Sequence, residues 1–347
     1  MERQDMGMAY LLKYENIAWY ENGVVRILDR RVYPYRKEHV TCSTYEDVAA
    51  AIRDMVTQSA GPYTAAAMGM ALAAHQCGDR PAAAQLEFLE KAAYVLSHAR
   101  PTTSAKMQAI TGMSLAVIKD ALEKGQSTAD AAFRYAYEAL QKRYAAYKRV
   151  AEHLVRQFPE NGVVMTMCFA ETIIGTMLLE CLKKGKTPRF ICPETRPYLQ
   201  GSRLTASVIA DMGFEVHVIC DNMPGYIMKR EKVDVFTSAA DVITMDGHVV
   251  NKIGTFQIAL AARYLGIPYF VTGSPSKSHP TVDTVTIEER DYSQVTDVMG
   301  VRVVEENVGA YYPAFDIVPP KLCDGVVTHK GVFPPYGLYG FFEGEEK

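Results

Sequence analysis

The pattern of hydrophobic and polar positions changes character along the 347-residue chain. Residues 8–35 contain short β-branched and aromatic runs separated by Glu21-Asn22-Gly23, and an Asn-Gly step between such runs predicts a β-hairpin. Residues 44–157 are rich in alanine and repeat apolar positions three and four apart, which predicts helices. The segment Ser43–Asp47 contains residues that can cap the first of these helices. Two more helices are predicted over Thr102–Lys124 and Ser127–Arg156, separated by Gly125.

From residue 161 onward, apolar runs of about five residues alternate with amphipathic stretches of about twelve, a rhythm typical of βαβ units and a parallel sheet. Sheets of this kind bind ligands outside the carboxyl ends of their strands. A proline-rich, loop-like tail that wraps back over a domain is expected after residue 312. The residues at or just after predicted strand ends are Cys168, Glu194, Asp221, Asp241 and Gly273.

These patterns predict an α/β protein of two domains, as the chain length also suggests. Residues 1–150 form a smaller, mainly helical domain that starts with a β-hairpin. Residues 151–347 form a Rossmann-like domain with a parallel sheet, expected to carry the catalytic site.

Composition narrows the function classes. A net charge of -3 and a pI near 6.3 give no basic footprint, so no nucleic-acid partner is expected. No apolar run is long enough to span a membrane, and the first residues do not resemble a signal peptide. The seven cysteines form no CxxC pair, so neither a zinc ribbon nor a thioredoxin-like motif is expected. Without a signal peptide or membrane span, a cytoplasmic protein with reduced thiols is the default expectation.

Two residues at predicted strand ends could carry chemistry. Cys168 follows an apolar strand, where a cysteine is often a small core residue, and Asp241 could simply cap a turn. Together, a thiol and a carboxyl on neighbouring strand ends could divide the acid and base roles of a proton transfer. The residue types leave open which of them is the acid.

Two further segments are rich in donors. Asn251 and Lys252 are predicted to open a helix, where the lysine and backbone N–H groups could receive an oxyanion; the alternative is a solvated lysine. The segment 194–203 contains Arg196, Gln200 and Arg203, which favours a phosphate or sugar site over two surface charges.

Three of these stretches together carry a resemblance. ETRPYLQGSRLTA, AAD followed by DGHVVNKIGTFQIALAA, and PAFDIVPP resemble the methylthioribose-1-phosphate isomerase family, which is related to the regulatory subunits of translation initiation factor 2B. ILDRRVYP, the TYEDVAAAIRDM helix and ARPT at residues 99–102 extend the likeness over nearly the whole chain.

The resemblance implies a homodimer, a small sugar-phosphate ligand, and neither metal nor nicotinamide. It implies isomerisation of an aldose 1-phosphate to a ketose, with S-methyl-5-thioribose 1-phosphate, a methionine-salvage intermediate, as the first expected substrate. By the same resemblance Cys168 and Asp241 match the family's catalytic pair. Its substrate-binding positions match Arg100, Gln200, Asn251 and Lys252, and its phosphate loop matches a stretch that includes Gln58, Ser59 and Ala60.

The chain departs from the family near the expected phosphate. The family's Arg-Gly-Ala-Pro loop is Gln58–Pro62 here, which removes one arginine; Glu171 and Val242 replace a glycine and an arginine, and Lys277 is a candidate replacement for the missing charge. Either the catalytic pair acts on another sugar, such as 5-deoxyribose 1-phosphate or ribose 1,5-bisphosphate, or the protein is a non-catalytic sugar-phosphate or nucleotide sensor. Retention of Cys168 and Asp241 favours an enzyme. A nicotinamide-dependent oxidoreductase is disfavoured because no glycine fingerprint follows the first strand of the second domain.

Overall fold

The computed structural model describes residues 3–100 and 104–343. Contacts divide the chain into two compact units, Met1–Ala145 and Ala146–Lys347. Thr102, the expected start of a helix, and residues 101–102 of the ARPT stretch lie outside the described residues.

The first unit begins with the predicted hairpin. Strands β1 (Trp19–Glu21) and β2 (Val24–Leu28) pair in antiparallel fashion, and β3 (His39–Cys42) extends the sheet on the other side of β2. Asn22 and Gly23 have φ of 51° and 76°, the two consecutive left-handed residues that a tight hairpin turn needs.

The first strand of the hairpin is shorter than the sequence predicted, because the apolar run of residues 11–20 is a strand only from Trp19 onward. Residues 10–16 form two short 3₁₀ turns instead. The physical reason is visible in Leu11 and Leu12, which are adjacent in sequence and both fully buried. A strand would turn successive side chains to opposite faces of the sheet, whereas a helical turn buries both.

Helices make up the rest of this unit. Thr44 begins the first with a capping box: its hydroxyl accepts from Asp47 N at 3.1 Å, and the Asp47 carboxylate accepts from Thr44 N at 2.9 Å. The second helix consists largely of alanine and other small residues and is buried along most of its length. The helices are α1 (Tyr45–Arg53), α2 (Gly61–Cys77), α3 (Ala82–Ser97), α4 (Ser104–Glu123) and α5 (Thr128–Val155), the last of which extends past Ala145 into the second unit.

The second unit alternates strands and helices as the sequence predicts. Its elements are β4 (Val163–Met165), α6 (Thr172–Lys183), β5 (Arg189–Pro193), α7 (Ala206–Asp211), β6 (Val216–Ile219), α8 (Pro224–Arg230), β7 (Val235–Ala239), β8 (Val242–Ile243), β9 (Val249–Lys252), α9 (Thr255–Leu265), β10 (Tyr269–Thr272), α10 (Ser293–Thr296), β11 (Asp297–Val298), β12 (Val301–Arg302), β13 (Phe315–Val318), β14 (Gly325–Val327) and β15 (Val332–Phe333).

Seven of these strands form the main sheet in the order β15-β14-β10-β7-β4-β5-β6. All neighbours are parallel except β15, which runs antiparallel to β14. Numbered along the chain, the six parallel strands lie in the order 3-2-1-4-5-6, the order of a Rossmann sheet. The predicted fold class is therefore confirmed.

The topology singles out one place on this sheet. Strands β4 and β7 are neighbours, yet the chain leaves β4 toward β5 on one side and β7 toward β10 on the other. The connections diverge and open a crevice at the carboxyl ends of these two strands, where doubly wound sheets bind ligands.

Two predictions about the later part of the chain were wrong. Asn251 and Lys252 do not open a helix but end β9, which lies between β8 and β13 in a small antiparallel sheet; α9 starts only at Thr255. The proline-rich tail also contributes more than loops, since β14 is the sixth parallel strand and buries Val326 and Val327 fully.

Candidate active site

Cys168 lies in the crevice, three residues beyond the end of β4. Its φ is 59°, in the left-handed region that residues with a side chain rarely adopt, and its thiol is half-buried. Met167 and Phe169 on either side are buried, and the Thr205 hydroxyl donates to the Cys168 carbonyl. The chain is thus held in a sharp turn directly after the strand.

The turn that supplies Thr205 is unusual in its own right. Gly201–Thr205 is a π-helical turn that leads into α7, a geometry often found at functional sites. A Cβ on Gly201 would lie 1.8 Å from the Pro193 carbonyl oxygen, so only glycine fits against the end of β5. The QGSRLT stretch is therefore explained by backbone packing as well as by donors.

The loop before this turn is anchored by Asp221 at the end of β6. Its carboxylate accepts from Thr195 N at 2.8 Å and from Arg196 N at 2.6 Å. Arg196 directs Nη2 to the Val295 carbonyl at 3.2 Å, so part of its guanidinium binds the protein itself. Gln200 is 5% exposed, and its Oε1 has no hydrogen-bond partner among the residues the structure describes.

Asp241 follows β7, the neighbour of β4. Its backbone N donates to the Val250 carbonyl at 2.9 Å, and its side chain is exposed. The carboxylate is close enough to Cys168 to affect the thiol electrostatically. The structure thus brings the predicted catalytic pair together at the switch point.

The thiol titrates well above neutral pH. Burial raises the pKa of Cys168 from 9.0 to about 11; the charges of Lys252 and Arg290 act to lower it, and Asp241 acts to raise it. Because burial is the largest influence, the thiol holds its proton at neutral pH. The site therefore contains a protonated thiol beside a carboxyl group.

Lys252 reaches the same site from β9. Its side chain is 5% exposed, and Nζ lies 5.0 Å from the centre of the Phe315 ring on β13. The neighbouring Asn251 donates from Nδ2 to Thr255 Oγ1 at 3.0 Å, and Thr255 donates to the Lys252 carbonyl at 2.6 Å. Both residues are held firmly where the strand meets α9.

The sequence suggested that backbone amides at the start of α9 could bind an oxyanion. In the structure these amides donate to a side chain of the protein instead. Asp316 accepts from Gly254 N at 2.6 Å and from Phe256 N at 2.9 Å. Burial raises the pKa of this carboxyl, and the two backbone donors oppose the rise. A carboxylate of the protein itself therefore caps the helix, so positive charge near Cys168 comes from side chains such as Lys252 and not from the amides of α9.

Arg290 and Tyr312 belong to this site and were missed in the sequence. Arg290 affects the thiol of Cys168, and Tyr312, whose pKa is raised by burial, is affected by both Cys168 and Tyr198. In the sequence Arg290 is the last member of a charged EER run in a loop, which looks like a solvated surface. Only the pairing of residues 288–290 with 312–314 brings it inward.

The remaining predicted residues lie in the first unit. Gln58, Ser59 and Ala60 immediately precede α2; Gln58 is buried, whereas Ser59 is exposed with φ of 60°. The Gln58 carbonyl accepts from Arg30 at 2.6 Å and the Ala60 carbonyl from Arg143 at 3.1 Å. The loop that lacks the family's arginine is thus contacted by two other arginines, which sequence reasoning did not single out.

Three other positions noted in the sequence are placed as follows. Arg100 is half-buried after α3. Glu171 is fully buried just before α6. Lys277 is exposed and lies 4.4 Å above the Phe342 ring. No group of three or more potential metal ligands occurs among residues 3–100 and 104–343, and no helix within those ranges is long and apolar enough to cross a membrane.

Comparison with known proteins shows which family the chain resembles along most of its length. The model of the initiation factor 2 subunit family matches residues 58–335. The methylthioribose-1-phosphate isomerase of Thermotoga neapolitana is 33% identical over 339 residues, which cover 93% of this chain and 96% of the relative.

Two solved structures share the fold over almost the whole chain. The 5-methylthioribose 1-phosphate isomerase of Pyrococcus horikoshii superposes with a TM-score of 0.81 at 28% identity, covering 96% of this chain and 97% of that one. The delta subunit of translation initiation factor eIF-2B from A. fulgidus gives a TM-score of 0.79 at 29% identity, covering 92% and 96%. The chain belongs to the initiation factor 2 subunit family, and within it to the methylthioribose-1-phosphate isomerases and their kin.

Proposed function

We propose that this protein is an aldose–ketose isomerase of a pentose 1-phosphate, with S-methyl-5-thioribose 1-phosphate as the first candidate substrate. The observation that carries the proposal is the pairing of Cys168 and Asp241 at the switch point of a Rossmann sheet. The names of the relatives that match nearly end to end support the same reaction.

The reaction needs two proton transfers and one shift of hydrogen within the sugar. The ring oxygen must gain a proton as its bond to C1 breaks, and the hydroxyl on C2 must lose one as it becomes a carbonyl, while the hydrogen on C2 moves to C1. Because the Cys168 thiol holds its proton at neutral pH, we assign it as the donor to the ring oxygen. Asp241 then accepts the proton that leaves the substrate.

Binding of the sugar follows from the remaining polar groups of the second unit. Gln200 has a buried carbonyl oxygen ready to accept from a sugar hydroxyl. Asn251 and Lys252 supply an amide and a cation that are fixed by β9 and Thr255. These are the positions that the family resemblance implies for substrate.

An anion such as phosphate is proposed to bind at the Gln58–Ala60 loop of the first unit, where Arg100 is a further candidate ligand. The loop precedes the start of α2, whose dipole favours an anion. Arg30 and Arg143 contact the loop carbonyls and supply positive charge, which makes up for the missing arginine of the family's loop.

The test is turnover of defined sugars. S-methyl-5-thioribose 1-phosphate, 5-deoxyribose 1-phosphate and ribose 1,5-bisphosphate are each incubated with the protein, and ketose formation is followed by NMR. Cys168→Ser and Asp241→Asn are expected to lower kcat by ~10²–10⁴-fold. The exposed Cys220→Ser and Asp211→Asn serve as matched controls and should retain full activity. Near-normal kcat in either site variant would show that the assigned roles are wrong.

One observation favours a second candidate function, that of a non-catalytic sensor. The initiation-factor subunit from A. fulgidus is as similar in fold and identity as the solved isomerase. Under this alternative the protein binds a sugar phosphate or nucleotide without converting it. Tight binding by calorimetry, with no ketose formed from any of the three sugars, would favour the sensor over the enzyme.

We also propose that the protein is a cytoplasmic homodimer whose two units act as separate domains. An apolar stripe of exposed side chains on α8 and α9 supports self-association, because such patches are uncommon on monomers. Its members are Tyr226, Phe256, Leu260 and Tyr264.

A further inference from the structure

Arg290 is a buried cation beside the candidate catalytic thiol. Its side chain is only 9% exposed. Nε donates to Glu288 Oε1 at 2.8 Å and Nη2 lies 3.5 Å from Glu288 Oε2, so one edge of the guanidinium is paired with a carboxylate. The group also lies over two rings, at 5.6 Å from Phe315 and 6.0 Å from Tyr312.

The other edge of the guanidinium, which carries Nη1, is not paired with a carboxylate. The phenol of Tyr312 is a close side-chain partner of Arg290 and acts on it both through a side-chain hydrogen bond and by its charge. The contact is poorly aligned, because neither Nη1 of Arg290 nor the Tyr312 hydroxyl meets a partner in full hydrogen-bonding geometry among the described residues. A charged N–H that is shielded from water and lacks an acceptor is costly, and proteins retain such groups where a ligand supplies the acceptor.

The surroundings show which ligand would do so. Arg290 and Lys252 both lie within cation–π distance of the same Phe315 ring, at 5.6 and 5.0 Å. Both charges also act on the Cys168 thiol. The backbone N of Arg290 donates to the Tyr312 carbonyl at 3.0 Å, which fixes the backbone of Arg290 beside Tyr312.

We propose that Arg290 binds substrate by donating its Nη1–H to the oxygen on C2 of the sugar. This inference rests on the proposed isomerase function and adds a residue to it. The C2 oxygen gains negative charge as its proton leaves, and a guanidinium that stays charged stabilises that charge best when water is excluded. Lys252 and Arg290 thus bracket the reacting end of the sugar, and Arg290 selects substrates that carry an oxygen there.

A purely structural role would use only the Glu288 pair and the two rings. The variants Arg290→Lys, Arg290→Met and Arg290→Ala are therefore compared with Glu288→Gln, which weakens the structural pair but leaves the guanidinium. We expect Arg290→Met to lower kcat by ~10²-fold with a smaller change in KM, as for loss of an oxyanion donor. The kcat of Glu288→Gln should fall by less than ~10-fold. The opposite ranking would overturn the proposal.

Chemical rescue separates binding from folding. Guanidinium at millimolar concentration should raise kcat of Arg290→Ala by ~10-fold or more, because it refills the vacated position. It should have no effect on Cys168→Ser. Absence of rescue in an Arg290→Ala protein that keeps its thermal unfolding midpoint would contradict the proposed contact.

A second readout does not depend on turnover. The charged or titratable groups that act on the thiol are Lys252, Asp241, Arg290 and, through its own titration, Tyr312. In a Cys220→Ser background, alkylation of Cys168 by iodoacetamide is followed across pH by mass spectrometry. Loss of the cation in Arg290→Met should move the alkylation profile to higher pH, and Arg290→Lys should restore it. If the unmodified protein converts no sugar, the isomerase proposal fails on its own, and an unshifted alkylation profile then overturns the assignment of Arg290 to this site.

Discussion

At the scale of single residues, Cys168 combines a strained backbone with a thiol that resists ionisation. The left-handed φ of 59° costs ~1 kcal/mol for a residue with a side chain. The Thr205 hydroxyl and the buried neighbours Met167 and Phe169 hold this conformation. The sequence predicted that a cysteine follows the strand, but not its conformation, because the Thr205 hydroxyl that holds the turn lies 37 positions further along the chain.

The raised pKa of Cys168 gives a pH prediction. With its pKa raised to about 11, the Cys168 thiol stays protonated at pH values below 9.0, the ordinary pKa of a cysteine. It loses its proton, and with it the donor role, only as pH rises through about 11. We expect kcat/KM to have no alkaline limb assignable to this thiol between pH 7 and 9, measured as a pH profile of the initial rate.

A matched variant checks the assignment. Lys252→Met removes a cation that lowers the pKa of Cys168, so the alkylation profile of this thiol should move to higher pH even though catalysis is impaired. Asp241→Asn removes a charge that raises the pKa and should move the profile the other way. Shifts of the same sign in both variants would contradict the assigned electrostatics.

At the scale of elements, the sequence predicted what depends on local pattern. Alternating strands and helices, the Asn22-Gly23 turn and the capping of α1 by Thr44 all follow from residues close together in the chain. The boundary between β9 and α9 did not, because the carboxylate that caps the helix is Asp316 on β13. Strand β14 was missed since prolines surround a very short apolar run.

Gly201 links an element to the site and can be tested directly. In Gly201→Ala the new Cβ would meet the Pro193 carbonyl oxygen at 1.8 Å, and a backbone atom cannot move aside as a side chain can. We expect a loss of ~1–3 kcal/mol in the free energy of unfolding, measured by urea denaturation. Activity should fall further, because displacement of the π-helical turn moves Thr205 away from the Cys168 carbonyl.

The control for this variant is another glycine in a helix. Gly112 in α4 has no atom within 4 Å of the place where a Cβ would be. Gly112→Ala is expected to be neutral or to stabilise by ~0.5–1 kcal/mol. Equal effects of the two substitutions would mean that Gly201 is not chosen for its fit against β5.

At the scale of the whole molecule, the strand order makes the site. Cys168 and Asp241 are far apart in sequence, and they meet because β4 and β7 are neighbours at the reversal of a 3-2-1-4-5-6 sheet. Strand-end polarity alone predicted candidates at five strand ends, and the family resemblance selected two of them. Neither strand-end polarity nor the family resemblance identified Arg290, since its approach to Cys168 depends on an isolated bridge in an irregular segment.

The proposed homodimer gives the last prediction. Tyr264 on α9 is 89% exposed and lies in line with Leu260 and Phe256, one turn apart along the helix. A second copy that covers this stripe would bury apolar surface now facing water. We expect the unmodified protein to run as a dimer in light scattering coupled to gel filtration, and Tyr264→Glu to shift it toward monomer because a buried carboxylate is costly. Tyr35→Glu, at a tyrosine that is 74% exposed in the first unit, is the control and should stay dimeric. If both variants keep the assembly of the unmodified protein, the stripe on α8 and α9 is not the dimer interface.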